Sequence, residues 1–413
     1  MSRLGLLSGL VGLGIGLWVQ QQPAASKPPE APDRERVELE AMGQSAEADR
    51  LFKAGDFVGA LPIYVAERAS RAALGDLRYE AYALRAIGCC HFNLGDNDAA
   101  LGAFLDAAKR DEGREDKGFE GYDWLLIGRA RLRSGKLEES AGALRKALPL
   151  LATAIDRDHE ADARLTLADV CMRLGKFKEA AAAVERAEEL ARLLDDSARK
   201  ATTWLVSARL ALAMEEPGLA AERADDARRV FLVRGAKGEM ADAAYAMGEA
   251  LADLDRLEAA AGVVEAASEA HRAMGGHPER AADLGLLAAL KADSGDLGDA
   301  VVAARGVVEE RRVEADPEGE VEALVALARY QFQAEERAGA AETLASAIEV
   351  GRRELAPARL VRLLILAADV NRLAGFSDRG TGLLDEAERV AGRAKNGALR
   401  RMVTEAREGA GRR

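Results

Sequence analysis

The stretch "NLGDNDAALGAFLDAAKR", residues 93–110, has close counterparts in "RSGKLEESAGALRKALPL" at 133–150 and "RLGKFKEAAAAVERAEEL" at 173–190. Each contains a glycine turn and continues as an alanine-rich helix that has no complete apolar face of its own. The three stretches start 40 residues apart, which indicates an internal repeat. Such a helix is stable only where the helices of neighbouring repeats cover it.

The turn glycine recurs in phase at Gly55, Gly95, Gly135, Gly175, Gly295 and Gly375. Glu215, Asp255 and Glu335 occupy the three remaining positions of the series. Glycine adopts a positive φ without strain and so ends a helix easily. We therefore expect the turns at Glu215 and Glu335 to differ locally from the glycine turns.

Small residues recur with the same period at three helical positions. Seven residues before each turn stand Ala48, Gly88, Gly128, Ala168, Ala208, Gly248, Ala288, Ala328 and Ala368. Five residues after each turn stand Ala60, Ala100, Ser140, Ala180, Ala220, Ala260, Ala300, Ala340 and Gly380. Seven residues further on, the third column is mostly alanine from Ala107 to Ala387, with Glu67 as the exception in the first repeat. These columns predict crossings where two helix backbones approach closely, because larger side chains would separate the helices.

A second polar break separates one repeat from the next. Aspartate recurs there, at Asp76, Asp116, Asp156, Asp196 and Asp316, and its carboxylate can accept hydrogen bonds from the free N–H groups of the following helix. Pro217 is suited to the first turn of the helix that follows Glu215. Each of about nine repeats is therefore predicted to be helix, turn, helix and break.

The composition agrees with an all-helical chain. Of 413 residues, 49% are apolar, 31% are charged and only 4% are aromatic, which favours many thin helix–helix contacts over one thick core. A net charge of −12 argues against nucleic-acid binding, which is normally accompanied by a basic surface. The three cysteines, Cys89, Cys90 and Cys171, have neither a disulfide nor a metal-site spacing, so we expect them to be buried as small apolar residues.

The segment "ALRAIGCCHFNLGDNDAALGAFLDAA" (83–108) resembles the tetratricopeptide repeat, with Leu84, Gly88, Gly95, Ala100, Phe104 and Ala107 at the pattern positions. "WLLIGRARLRSGKLEESAGALRKA" (124–147) matches it with Trp124, Gly128, Ser140 and Ala147. The usual aromatic before the turn is replaced by His91, Arg131 and Cys171, and the period of 40 is similar to that of the longer-helix repeats of kinesin light chains. The resemblance implies an all-α solenoid that winds into a right-handed superhelix.

The same resemblance implies that the first helices of successive repeats line a concave face. The candidate partner-binding residues on that face are Arg85, Leu125, Arg129, Arg133, Leu165, Asp169, Arg173, Leu205, Arg209, Tyr245, Glu249 and Arg329. An apolar floor with charged edges suits an extended or helical peptide. Alternatively, Arg129, Asp169, Arg209 and Glu249 alternate in sign and pair with each other along the stack.

The chain carries no phosphate-binding loop, H-E-x-x-H or C-x-x-C motif, and its four histidines are dispersed. These observations predict no catalytic residue, no metal and no cofactor. The leading hypothesis is a non-catalytic scaffold that binds a protein or peptide. The alternative is a regulatory sensor, in which a small peptide or metabolite changes the pitch of the superhelix.

Four segments are predicted: an apolar signal or anchor at 1–19, a Pro/Ala-rich linker at 20–33, the repeats at 34–394 and a basic capping helix at 395–413. Residues 4–19 contain sixteen uncharged residues after Arg3. They predict a membrane-anchored or exported protein, with cytoplasmic location as the alternative. An apolar helix packed on the repeats is the other interpretation of this segment, and a basic tail that contacts a membrane or nucleic acid is the other interpretation of 395–413.

Overall fold

A computed structural model of the chain describes residues 31–112 and 117–411. The regular elements within these ranges are 19 α-helices, which divide into two compact units at residue 176. The N-terminal unit contains α1 (Ala31–Lys53), α2 (Phe57–Leu74), α3 (Leu77–Asn93), α4 (Asn97–Asp111), α5 (Lys117–Arg133), α6 (Leu137–Thr153) and α7 (Arg157–Arg173).

The C-terminal unit begins at Phe177 and contains twelve helices. They are α8 (Phe177–Leu194), α9 (Ser197–Ala213), α10 (Pro217–Arg234), α11 (Lys237–Asp253), α12 (Leu257–Met274), α13 (His277–Asp293), α14 (Leu297–Val313), α15 (Pro317–Gln333), α16 (Arg337–Glu354), α17 (Pro357–Leu373), α18 (Ser377–Arg393) and α19 (Gly397–Gly411). The first helix of a repeat begins at Leu77 and then at every fortieth residue, and the second helix begins at Phe57 and then at every fortieth residue.

Consecutive helices pack against each other within each unit, and some first helices also contact the first helix of the next repeat. Such contacts join α5 to α7 in the N-terminal unit and α9 to α11 in the C-terminal unit. This is the packing of a helical-repeat solenoid, so the predicted all-α solenoid class is confirmed. In the C-terminal unit, Leu399 and Val403 of α19 are buried in the core that includes α15 to α18.

The small residues lie where first and second helices of a repeat touch. The column five residues after the turn is buried throughout, from Ala60 to Gly380. A methyl group added to Gly128 would lie 2.7 Å from Cγ of Leu144, and one added to Gly88 would overlap the Phe104 ring. Each glycine thus provides the room that a large side chain on the second helix fills, as predicted for close helix crossings.

The turns without glycine have the same backbone as the glycine turns. Glu215, Asp255 and Glu335 have φ of 61°, 58° and 63°, within the left-handed region that Gly55 and Gly95 also occupy. Glu215 N–H donates to the Leu212 carbonyl and Glu216 N–H to that of Ala211, as Gly95 and Asp96 do in their turn. The prediction that the turns at Glu215 and Glu335 differ was wrong. The packed helix pair imposes this turn even at a cost of roughly 1–2 kcal/mol for a side chain in that region.

An aspartate cap is present at all four described breaks at which aspartate was predicted. Asp76, Asp156, Asp196 and Asp316 each accept a hydrogen bond from a backbone N–H of the helix that follows, at 2.9 to 3.3 Å. Pro217 stands in the first turn of α10, as expected. Asp116 lies outside the described residues.

The predicted membrane attachment requires correction. Across 31–112 and 117–411, every helix is too short or too polar to cross a bilayer. The physical reason is that these helices alternate apolar and charged residues at helical spacing, since part of each faces water. On this finding the prediction of a membrane-anchored or exported protein was wrong. Residues 4–19, from which it was made, lie outside the described residues.

Gly88→Ala and Gly102→Ala form a matched pair that tests the close helix crossing. Gly102 lies on the second helix of the same repeat, and a methyl group there would meet nothing within 4 Å. We expect Gly88→Ala to lower the free energy of unfolding by about 1–3 kcal/mol through overpacking against Phe104. Gly102→Ala should raise it by about 0.5–1 kcal/mol, because alanine favours the helix. Urea unfolding measures both, and equal effects of the two substitutions would contradict the assigned crossing.

Candidate functional site

Three leucines of the candidate partner-binding set are buried. Leu125 and Leu165 pack inside the N-terminal unit, and Leu205 packs inside the C-terminal unit. Their side chains contribute to helix packing and leave little surface for a partner.

The charged candidates in the N-terminal unit have partners within that unit. Arg129 lies 3.2 Å from Asp162 on the neighbouring first helix, and Asp169 lies 3.1 Å from Arg173 on its own helix. Arg133 donates to the Phe92 carbonyl at 2.6 Å and lies over the Phe92 ring. Arg129 thus pairs along the stack as the alternative hypothesis suggested, but with Asp162 and not with Asp169.

The remaining candidates lie in the C-terminal unit. Burial raises the pKa of Glu249, whereas a hydrogen bond from Tyr245 and the charge of Arg209 lower it. Burial and Glu249 together raise the pKa of Tyr245 to about 12, so that its hydroxyl stays protonated at neutral pH. Arg329 is exposed and donates to the Tyr330 hydroxyl at 3.0 Å.

A groove of about 740 Å³ lies in the N-terminal unit. It is formed mainly by first helices, α1, α3 and α5, together with Tyr64 of α2 and the region where α7 begins. Its lining residues are Asp49, Phe52, Lys53, Tyr64, Tyr82, Arg85, Ala86, Cys89, Gly118, Phe119, Tyr122, Ala154, Asp156 and His159. Arg85 is the one member of the candidate set in this lining. We call this the aromatic groove, because five of its lining residues are phenylalanine or tyrosine.

At one end of the aromatic groove, two tyrosine hydroxyls donate to Asp49. Tyr64 Oη lies 2.6 Å from Asp49 Oδ1, and Tyr82 Oη lies 2.9 Å from Oδ1 and 3.1 Å from Oδ2. Burial and the hydrogen bond to Asp49 raise the pKa of both Tyr64 and Tyr82, so both hydroxyls remain donors. The Asp49 carboxylate is therefore held in a fixed orientation.

Arg85 forms a buried charge cluster beneath the groove surface. Its Nη1 atom donates to Asp111 Oδ2 at 2.7 Å and to Asp123 Oδ1 at 3.3 Å, and both carboxylates are fully buried. Its guanidinium also lies 5.0 Å from the Phe119 ring centroid, within cation–π range. Burial raises the pKa of Asp123 to about 8, although Arg85 opposes this shift. Asp123 therefore holds a proton at neutral pH, which limits the negative charge buried beside Arg85.

The groove also contains a Tyr122–His159 pair whose ring planes are tilted by 38°. The two ring centroids lie 4.2 Å apart. His159 Nδ1 is hydrogen-bonded to Asp156 Oδ2 at 2.7 Å. Cys89 also lines the groove, but burial raises the pKa of its thiol to about 11. The thiol is therefore neutral near pH 7 and is a poor nucleophile.

The sequence contains a signal for this groove beyond the candidate residues. Of the nine Phe, six Tyr and three Trp residues in the chain, ten lie between Phe52 and Trp124. Asp49 follows the small residue Ala48, so it occupies the position of Arg129 in the first repeat. Tyr82 and Tyr122 each stand six residues before the small residue of their repeat. The candidate residues stand three residues before, one residue after or five residues after the small residue of the second and later repeats, so Asp49 and the two tyrosines are not among them.

Asp123→Asn tests the protonation of the buried cluster. Between the usual carboxyl pKa of 3.8 and the raised value of about 8, the folded state holds a proton that the unfolded state releases. Stability should therefore fall as pH rises through this window, by up to about 1.4 kcal/mol per pH unit from this group. Asparagine does not titrate, so the variant should lose this slope and be more stable than the parent at pH 8.

Urea midpoints at pH 5, 6, 7 and 8 measure this dependence. Asp106→Asn is the control, because Asp106 is an exposed carboxylate of the same unit and pairs with Lys109. It should keep the parent slope. Equal slopes for the parent and Asp123→Asn would show that Asp123 is ionised in the folded protein.

No family model matches the chain, and no curated protein matches it. Solved structures are similar in fold at low sequence identity. A Signal Transduction ATPase with Numerous Domains from Pyrococcus horikoshii, which carries a tetratricopeptide repeat sensor, has a TM-score of 0.64 at 12% identity, over 88% of this chain and 55% of its own. This chain thus spans little more than half of that protein.

Two Rap proteins are also similar. RapI in its apo form has a TM-score of 0.56 at 13% identity, over 66% of this chain and 98% of its own. A Rap protein complexed with Competence and Sporulation Factor has a TM-score of 0.50 at 13% identity, over 80% and 98%. At such identities a likeness shows the fold alone. With the 40-residue helix pairs, it shows that this chain has the helical-repeat fold of tetratricopeptide-repeat proteins.

Proposed function

We propose that this chain is a non-catalytic interaction scaffold that binds a peptide segment of a partner protein in the aromatic groove. The observation that carries the proposal is the groove itself, which combines about 740 Å³ of space, aromatic walls and an oriented carboxylate. Its volume falls within the range of about 300–1,000 Å³ that is usual for ligand sites. Aromatic side chains bury large areas at little entropic cost and are enriched among the residues that dominate binding energy.

Rigid packing supports this proposal. Tyr82 and Arg85 stand on α3, whose Gly88 packs under Phe104, and Tyr122 stands on α5, whose Gly128 packs under Leu144. The groove side chains are therefore mounted on helices whose spacing is determined by close contacts. A preformed site loses less entropy when it binds a ligand.

The polar groups of the groove favour binding over catalysis. The Cys89 thiol is neutral, Arg85 is hydrogen-bonded to Asp111 and Asp123, and His159 is bonded to Asp156. Among the described lining residues we find no nucleophile hydrogen-bonded to a base, which nucleophilic catalysis requires. A partner would therefore form only non-covalent contacts with these side chains.

A regulatory sensor is the second candidate function. It is favoured by the volume of the groove, which suits a small ligand, and by the similar Pyrococcus protein, whose repeats are described as a sensor. In this alternative a small peptide or metabolite fills the groove and alters the packing of successive repeats. The two functions differ in what occupies the groove and in whether the repeats rearrange.

Tyr82→Ala and Tyr79→Ala test the proposed groove. Both tyrosines are on α3 and both are exposed, but only Tyr82 lines the groove. Random 12-residue peptides displayed on phage would be selected on the full chain, and the affinity of retained peptides would be measured by calorimetry. We expect Tyr82→Ala to weaken binding by about tenfold or more, as for a central aromatic contact. Tyr79→Ala should change it by less than about twofold.

Equal affinity of the two variants would place peptide binding outside the groove and contradict the proposal. Failure to select any peptide, together with calorimetric binding of metabolites that is lost in Tyr82→Ala, would favour the sensor. Small-angle scattering with and without ligand then measures whether the repeats rearrange.

A further inference from the structure

Asp49 is a groove carboxylate without a cationic partner. The ion pairs among the described residues include none with Asp49, whose carboxylate accepts hydrogen bonds from Tyr64 and Tyr82. Arg85, by contrast, forms an ion pair with Asp111 and a hydrogen bond with Asp123. Lys53, one helical turn after Asp49, lines the groove but is exposed and forms no ion pair with it in the described part of the chain. The negative charge at Asp49 is therefore not neutralised locally.

The carboxylate retains capacity to accept hydrogen bonds. An ionised carboxylate has about four acceptor positions on its two oxygens. Tyr64 and Tyr82 use Oδ1, and only the shared contact of Tyr82, at 3.1 Å, reaches Oδ2. The two hydroxyls thus orient Asp49 while leaving positions, chiefly on Oδ2, for a donor that enters from the groove.

Two tyrosines contact this carboxylate, and a phenylalanine ring lies near one of them. The Phe52 ring lies 6.4 Å from the Tyr64 ring at an interplanar angle of 70°, and Tyr82 borders the groove on the neighbouring first helix. Aromatic faces attract cations within about 6 Å. The same groove already shows this attraction, since the guanidiniums of Arg85 and Arg78 lie 5.0 and 5.7 Å from the Phe119 centroid. An oriented carboxylate beside aromatic rings is a favourable environment for a cation.

The other charged groups of the groove do not reverse this preference. The charge of Arg85 is compensated by Asp111, and His159 is bonded to Asp156. The chain as a whole carries a net charge of −12, which attracts basic partners over longer distances. Lys53 is the remaining cation of the lining, and its exposed side chain is free to move away from an incoming group.

We propose that the aromatic groove selects a cationic group, the side chain of a lysine or arginine in the bound peptide, which forms an ion pair with Asp49 beside the rings of Phe52 and Tyr82. This inference rests on the proposed peptide-binding function and names the chemistry of the ligand. In this inference Asp49 distinguishes a cationic side chain from a neutral one, and the hydroxyls of Tyr64 and Tyr82 orient its carboxylate.

Asp49→Asn is the decisive substitution, because asparagine keeps an oxygen that accepts from Tyr64 and Tyr82 but has no charge. Asp106→Asn is the matched control, since it causes the same change in net charge from an exposed site outside the groove. The probes are the 12-residue phage-selected peptides, each also synthesised with its basic residues replaced singly by glutamine. Nα-acetyl-lysine methylamide, whose side-chain ammonium is free, and its norleucine analogue test whether a free cation suffices for binding.

Selected peptides should share a lysine or arginine, and glutamine at that position should weaken binding to the parent chain by about tenfold or more. Asp49→Asn should weaken binding of the unaltered peptide by a similar factor. On the Asp49→Asn variant, the glutamine-substituted peptide should bind less than about twofold more weakly than the unaltered peptide. Asp106→Asn should bind as the parent does. Binding of the lysine amide in preference to the norleucine amide, lost in Asp49→Asn, also supports the inference and identifies a free cation as a sufficient ligand.

Peptides that depend on Tyr82 but bind Asp49→Asn with parent affinity would overturn this inference and leave the proposed function standing. Selection of only acidic or neutral peptides would also overturn this inference and leave the proposed function standing. Failure of every peptide and of the lysine amide to bind would overturn both. If Asp49→Asn fails to fold by circular dichroism, the lysine-to-glutamine loss on the parent chain decides the question, and a loss below twofold contradicts the inference.

Discussion

The close approach of two helices at a small residue is the constraint on which the structure depends. Gly88 lies under the Phe104 ring, Gly128 under Leu144 and Gly248 under Val264. In these three repeats a small residue on the first helix meets a larger one on the second. Because the pattern returns every 40 residues without insertion, each helix pair presents the same faces to the next pair. The stability of the chain is therefore distributed over many thin contacts between neighbouring helices.

The groove is a consequence of this regular packing. First helices of neighbouring repeats lie side by side, so residues at equivalent positions in successive repeats face the same surface. Tyr82 and Tyr122 stand at equivalent positions of neighbouring repeats, and Asp49 of the first repeat, which stands seven positions later in its repeat, lines the same groove. What distinguishes the N-terminal unit is its aromatic content, since its second and third repeats carry a tyrosine six residues before the small position. The same period that builds the fold thus also determines which residues can form one site.

The fold was predictable because its signals are local and periodic. The small columns and the aspartate caps depend on residues within one or two helical turns of each other. The turns at Glu215 and Glu335 were predicted wrongly, because the helix pair on either side of the turn determines φ there. The aromatic groove shares only Arg85 with the candidate residues predicted from the sequence. Partners such as Asp162 for Arg129, and Asp111 and Asp123 for Arg85, depend on the offset between neighbouring helices, which a single sequence does not encode in an obvious way.

A double-mutant cycle between Gly88 and Phe104 tests the central constraint most directly. Phe104→Leu alone should cost about 1 kcal/mol by leaving a cavity. If Gly88 is small in order to receive the Phe104 ring, the smaller leucine should relieve the overlap caused by Gly88→Ala. The account then predicts a double mutant that is more stable than the sum of the single effects, by on the order of 1 kcal/mol in the free energy of unfolding. Additive effects would contradict the claim that this contact determines how the two helices pack.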